Sequence, residues 1–210
     1  MADTYFDALI STGDVPADVA AFLTGAGKTG TLAHIREVAA EARRLAERFG
    51  VDVEAAATAA WCHDLAAVVP RGEIVAVAEA WGVSLTEADH AVPGVIHGPL
   101  AAAVVRTCLG ITDEDTLNAI RHHTTLRAGA SPLETVVFVA DKVALDPASP
   151  RNDFLPALRL AKARGLDAMA FVYLDWVMQH GESLGWTIHA NVKAAHAELQ
   201  QHAKGILSDG

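Results

Sequence analysis

The sequence predicts an all-α fold, a single helical bundle, on three observations. Apolar residues recur at helical rather than alternating spacing along most of the chain. Alanine is abundant while aromatics make up only 6% of residues, which favours closely packed helices over a sheet. Helix start and stop signals also punctuate the chain from end to end. The 210 residues, 51% of them hydrophobic, suffice for one large core. No linker, repeat or low-complexity tract divides them.

Taken in order, Leu32, Ile35, Val38, Ala42, Leu45 and Phe49 mark one face of a first long helix after GAGKTGT, and Gly50 stops it. Asp52 caps VEAAATAAWCHDLAA, read as one helix that is apolar on nearly all sides and so lies inside the bundle. Pro70, Arg71 and Gly72 interrupt the chain before a helix from Glu73 to Trp81, which Gly82 ends. Ser84 and Glu87 have capping-box spacing ahead of a brief helix. Pro99 suits the first turn of PLAAAVVRTCL, which Gly110 terminates, and Thr112 is the expected cap of DEDTLNAIRHH.

Ser131, Pro132 and Glu134 give a cap, a proline at the first position and an acid at the third. The segment they start, LETVVFVADKVAL, is β-branched enough for a strand, but cap and length favour a helix. A Pro-containing loop follows over Asp146–Asn152, then two or three helices over 153–164, 167–181 and 189–205. The expected organisation is an N-terminal helical extension, residues 1–27, packed on a domain of residues 28–205.

The net charge of −10 offers no basic face for a nucleic-acid backbone. An acidic protein that handles phosphate needs local positive charge, and bound metal is a source of it. Cys62 and Cys108 lack the spacing of a zinc or disulfide motif and read as reduced thiols of a cytosolic protein. The N-terminus has acids at positions 3 and 7 and no basic leader, and no apolar stretch approaches 18 residues. The expectation is a cytoplasmic protein that engages neither membrane nor nucleic acid.

Ten histidines are many for this length, and their placement matters more than their number. His63 and Asp64 stand together in an otherwise apolar helix. An unpaired buried carboxylate is very costly to desolvate, so Asp64 needs a strong partner, either a metal or an arginine. Asp141 poses the same question inside VVFVADKVAL. Lys142 is a poor candidate partner because neighbouring helical residues point apart, so a distant arginine or a metal remains. His34, His97 and His123 complete a set of nitrogen and oxygen ligands suited to divalent first-row metals.

The order of these residues resembles the HD-domain phosphohydrolases in their six-ligand form, and is closest to the YqeK-type branch, which looks like symmetrical diadenosine tetraphosphate hydrolases. The segments that carry the resemblance are AHIREVA, AAWCHDLA, VIHGPLAA, NAIRHHTT, VVFVADKV and GWTIHANVKAAHAEL, spread over residues 28–200. The resemblance implies a helical bundle of the HD type in which His34, His63, Asp64 and Asp141 bind one divalent ion. His97 and His123 bind a second, and Asp64 bridges the two. His63 and Asp64 carry catalysis. Iron is the favoured metal, with manganese or cobalt as substitutes.

The implied reaction is attack by a metal-activated water on the polyphosphate bridge, releasing two ADP. Cys62 is then a buried small hydrophobe, not a nucleophile. Arg121, His122, Thr124, Arg127 and Arg151 are the candidates to hold substrate, with Thr125 as a further hydroxyl. The partner expected is a small nucleotide, and a homodimer is compatible with the sequence.

The chain departs from the family at three places: Ala67 replaces a lysine, Leu126 replaces the glycine of HTTG, and VALDPASPR replaces a shorter IEPxR stretch. These are positions expected to touch phosphate. Three further readings therefore stand beside the first: a phosphohydrolase of another nucleotide or phosphoester, a non-catalytic nucleotide sensor, and an oxygen-using di-iron enzyme.

Overall fold

The structure is a computed structural model that describes residues 5–208, and among these are eleven α-helices and no strand. α1 (Val15–Gly25) starts where the Asp14 carboxylate accepts from the Ala17 amide. α2 (Thr29–Phe49) buries the predicted face and ends at Gly50, whose φ of 70° is the left-handed conformation glycine adopts freely. α3 (Val53–Cys62) is capped by Asp52, and its buried Ala56, Ala57, Ala59 and Ala60 let neighbouring helices approach closely.

The single helix expected over 53–67 is broken. α3 stops at Cys62, His63 and Asp64 form a turn, and a separate 3-10 turn runs over Leu65–Val68. α4 (Ile74–Ala80) precedes α5 (Glu87–Ala91). The capping box of α5 lies two residues beyond the predicted one: Thr86 and Asp89 bond each other reciprocally, because Thr86 is the last extended residue.

α6 (His97–Cys108) is followed by α7 (Glu114–His122), where Asp113 rather than Thr112 is the cap, its carboxylate accepting from the Thr116 amide. α8 (Pro132–Val143) has the predicted Ser131–Glu134 capping box. α9 (Leu155–Ala161), α10 (Leu166–His180) and α11 (Ala190–Ser208) close the chain.

α8 is the axis of the bundle, with α2, α3, α7 and α10 packed around it. That position explains its composition: Val136 to Ala140 are all fully buried, so no polar stripe is needed. α6 lies along α7, and α11 lies against α10. α1 packs on α2 and α3, and its Val19, Phe22 and Leu23 join the same core. Residues 1–4 of the predicted extension lie outside the described residues. No described helix is long and apolar enough to cross a membrane.

Candidate metal centre

Six side chains from five places in the chain meet at one point. His34 comes from the second turn of α2, His63 and Asp64 from the break after α3, His97 from the start of α6, His123 from the residue after α7, and Asp141 from α8. His34, His63 and Asp141 present ligand atoms within 4.8 Å of one another, and so do His63, Asp64 and His123. Asp64 Oδ1 lies 3.2 Å from His97 Nε2 and 3.7 Å from His123 Nε2, while its Oδ2 faces His63 Nε2 at 3.5 Å. His97 Nε2 and His123 Nε2 are 2.9 Å apart.

Three of the rings are aimed by the backbone. His63 Nδ1 meets Ala60 O at 2.7 Å, His97 Nδ1 meets Gly94 O at 2.7 Å and His123 Nδ1 meets Ile120 O at 2.8 Å. Ala60 and Ile120 are in the last turns of α3 and α7, where carbonyls lack partners within the helix. A carbonyl only accepts, so Nδ1 carries the proton in each ring and the Nε2 lone pair points inward. His63 Nε2 is fully buried with no hydrogen-bond partner. A bare, inward lone pair of this kind is what a metal ligand requires, and the six donors fit a divalent cation.

Asp141 is shared differently from the sequence expectation. Its Oδ1 lies 2.9 Å from His34 Nε2 and 3.8 Å from His63 Nε2, while its Oδ2 accepts from the Lys142 ammonium. Lys142 is therefore a partner after all: its flexible four-carbon stem curls back although the two Cβ atoms diverge. Its ammonium also donates to the His123 carbonyl at 3.1 Å and lies over the Phe138 and Tyr173 rings.

The charge states follow from these contacts. Burial works to raise the Asp64 carboxyl, yet His63, His97 and His123 around it hold it well below the usual carboxylate range. Burial opposes ionisation of Asp141 too, and Lys142 and His34 overcome it. Burial, with His63 and His97 nearby, pushes His123 well below its ordinary value. Ionised carboxylates beside a neutral imidazole are the ligand forms that bind metal. Burial drives the Cys62 thiol up to about 12, so it stays protonated beside the cluster.

Of the substrate candidates, Thr124 sits in the cluster, its Oγ1 3.1 Å from His123 Nε2 and 3.3 Å from His97 Nε2. Arg121 and His122 line a large cleft beside it, and burial holds His122 down at about 4. Arg127 is taken out of play: its guanidinium is clamped by two hydrogen bonds to the buried Glu134, which has to be neutralised by something. Arg151 is exposed on the 3-10 turn Pro150–Asn152. Sequence reasoning passed over Arg159, which shares a smaller hollow with His34 and Asp146. It also passed over Trp81, His189 and Asn191 on the large cleft, although GWTIHANVKAAHAEL marked the last two.

A match to the HD domain covers residues 31–146, a stretch that holds all six clustered residues. An uncharacterized protein of Lactococcus lactis subsp. cremoris, from the pepC 5' region, is 32% identical over 144 residues, covering 69% of this chain and 68% of that protein. A Bacillus subtilis protein named symmetrical bis(5'-nucleosyl)-tetraphosphatase is 39% identical over 109 residues, 52% of this chain and 58% of its own length. The chain thus matches little more than half of that named relative. A crystal structure from Clostridium acetobutylicum, described as a predicted HD superfamily hydrolase involved in NAD metabolism, superposes with a TM-score of 0.80 at 27% identity, over 89% of this chain and 97% of that one. With the matching stretch spanning more than half of its residues, the chain belongs to the HD-domain family and is an HD-type phosphohydrolase.

Proposed function

We propose that the enzyme hydrolyses diadenosine tetraphosphate or a related dinucleoside polyphosphate symmetrically. Water adds to a phosphorus at the centre of the bridge, the P–O bond between the second and third phosphates breaks, and two ADP leave. The observation that carries this reading is the pair of overlapping His and Asp triads that share His63. The name of the Bacillus subtilis relative supplies the substrate class.

His34, His63, Asp64 and Asp141 would hold one divalent ion, and His97 and His123, sharing Asp64, would hold a second. Iron is favoured, and manganese or cobalt fit the same donors. Ions held there supply Lewis acidity toward a phosphoryl oxygen and lower the pKa of water. The chain's own part is to fix that geometry. Asp64 and His63 would orient the reacting centre, the Thr124 hydroxyl beside His97 and His123 would bond a phosphate oxygen, and Arg121 and His122 would bind the rest of the phosphate chain. The free thiols of Cys62 and Cys108 accord with a reducing cytoplasm.

Protein loaded with iron, manganese or cobalt should convert diadenosine tetraphosphate to ADP as the sole nucleotide product on anion-exchange chromatography. Formation of AMP and ATP, or no turnover with any of the three metals, overturns the reading. A second reading, hydrolysis of another nucleotide, is favoured by the commitment of Arg127 to Glu134 and by Ala67, which together leave fewer cations for a long phosphate chain. A panel of mononucleotides and dinucleotides separates the two.

A further inference from the structure

Lys142 is a buried cation bonded to a candidate metal ligand, and a cation in that place works against metal binding. It follows Asp141 on α8 and is 5% exposed. Its ammonium donates to Asp141 Oδ2 and to the His123 carbonyl at 3.1 Å. The Phe138 and Tyr173 rings cover it, their centroids 5.0 and 5.3 Å away. Shut in by these partners, Lys142 is not placed as a lysine that grips phosphate would be. Asp141 is its only carboxylate in ion-pair range among the described residues.

Desolvating an ammonium is costly, and the metal-loaded centre gives no reason to do so. Asp64 and Asp141 bring two negative charges, which one divalent ion neutralises. A further positive charge held on Asp141 repels any ion bound there. In the metal-free protein the balance reverses. Asp64 then still faces His97, His63 and His123 at 3.2, 3.5 and 3.7 Å. Asp141 Oδ1 has His34 Nε2 at 2.9 Å, but Oδ2 has Lys142 alone among the described residues. Without Lys142 that oxygen is a buried, uncompensated charge.

We propose that Lys142 is a positioning residue, the resident counter-ion of Asp141. It keeps this ligand charged and its Oδ1 turned toward His34 and His63 before an ion arrives, and in doing so it weakens capture of that ion. The same ammonium, through the His123 carbonyl, fastens the turn that carries His123 and Thr124 to α8. The weakened capture rests on the ligand assignment proposed above; the counter-ion role in metal-free protein does not.

The test compares the full-length parent with Lys142→Met and with the double variant Asp141→Asn, Lys142→Met. Chelated Lys142→Met should melt ~6–20 °C below the chelated parent by far-UV circular dichroism. The double variant, which has no carboxylate left to compensate, should recover at least half of that loss. In calorimetric titration, Lys142→Met should bind manganese on the order of tenfold tighter than the parent. Stability and affinity thus move in opposite directions, whereas a merely structural lysine would lower both. If chelated Lys142→Met does not fold, the double variant carries the test: folded, it supports the proposal, and unfolded, it overturns it. A chelated Lys142→Met that melts with the parent, or a double variant that melts no higher than Lys142→Met, overturns the counter-ion role. Manganese binding weaker than the parent's overturns the effect on capture. If the parent itself binds no manganese, iron or cobalt, the ligand assignment fails, and the melting of the chelated proteins alone decides the role of Lys142.

Discussion

Asp64 faces three imidazoles with two oxygens, and its place in the cluster separates it from His97, which touches only one side. Asp64→Ala should therefore lose both metal equivalents, and His97→Ala only one, as measured by plasma mass spectrometry after gel filtration. Full metal content in the Asp64 variant would remove the bridging assignment. Asp64 and Asp141 stood out in the sequence because an Asp in an apolar run is chemically anomalous, whereas His34, His97 and His123 joined them through the order of motifs that resembles the HD family. Lys142 could not be read so: the rule that neighbours point apart describes Cβ atoms, not the tip of a long side chain. The free or committed state of each arginine was equally hidden. Arg121 and Arg127 look alike in sequence, and only the fold places Glu134 against one of them.

At the scale of elements, α6 and α7 pass so closely that a Cβ on Gly98 would stand 2.7 Å from the Arg121 carbonyl oxygen and 3.1 Å from that of Ile120. This contact brings His97 and His123 together. Gly98→Ala forces backbone against backbone and should cost about 2 kcal/mol, a fall in Tm of roughly 4–8 °C. Part of the metal content should go with it, whereas a merely local defect would leave metal intact. The turn after α7 ends at Leu126, the one described non-glycine residue with positive φ, at 56°, and its side chain is 2% exposed. Glycine there relieves strain of about 1 kcal/mol but gives up a buried leucine worth about 2–5 kcal/mol. Leu126→Gly should thus lower stability in urea, and a gain would show that strain dominates. The sequence showed most helices and the Ser131 cap. It did not show the break at Cys62, because the apolar run continues through it.

For the whole molecule, α8 and the apolar faces of α2, α3, α7 and α10 make one core without help from an ion. Chelated protein should keep its far-UV helical signal. Restoring metal at 100 times its Kd adds about 2.7 kcal/mol, or roughly 5–10 °C in Tm, and collapse of the helical signal on chelation would contradict this. The all-α architecture was legible because α2 keeps a clear helical period and the apolar helices α3 and α8 carry strong caps at Asp52 and Ser131. The large cleft was not, since Trp81, Arg121 and His189 come from distant segments and no local pattern relates them.

The carbonyl tethers on His63, His97 and His123 carry one more consequence. Each ring loses its rotational freedom when its own turn forms, so the entropy of ordering these ligands falls at the folding step and not at metal capture. A cage ordered in advance takes up and releases an ion without rearranging. The identity of the bound metal should then follow supply during growth, with exchange in the folded protein proceeding at the pace of ligand dissociation and not of unfolding.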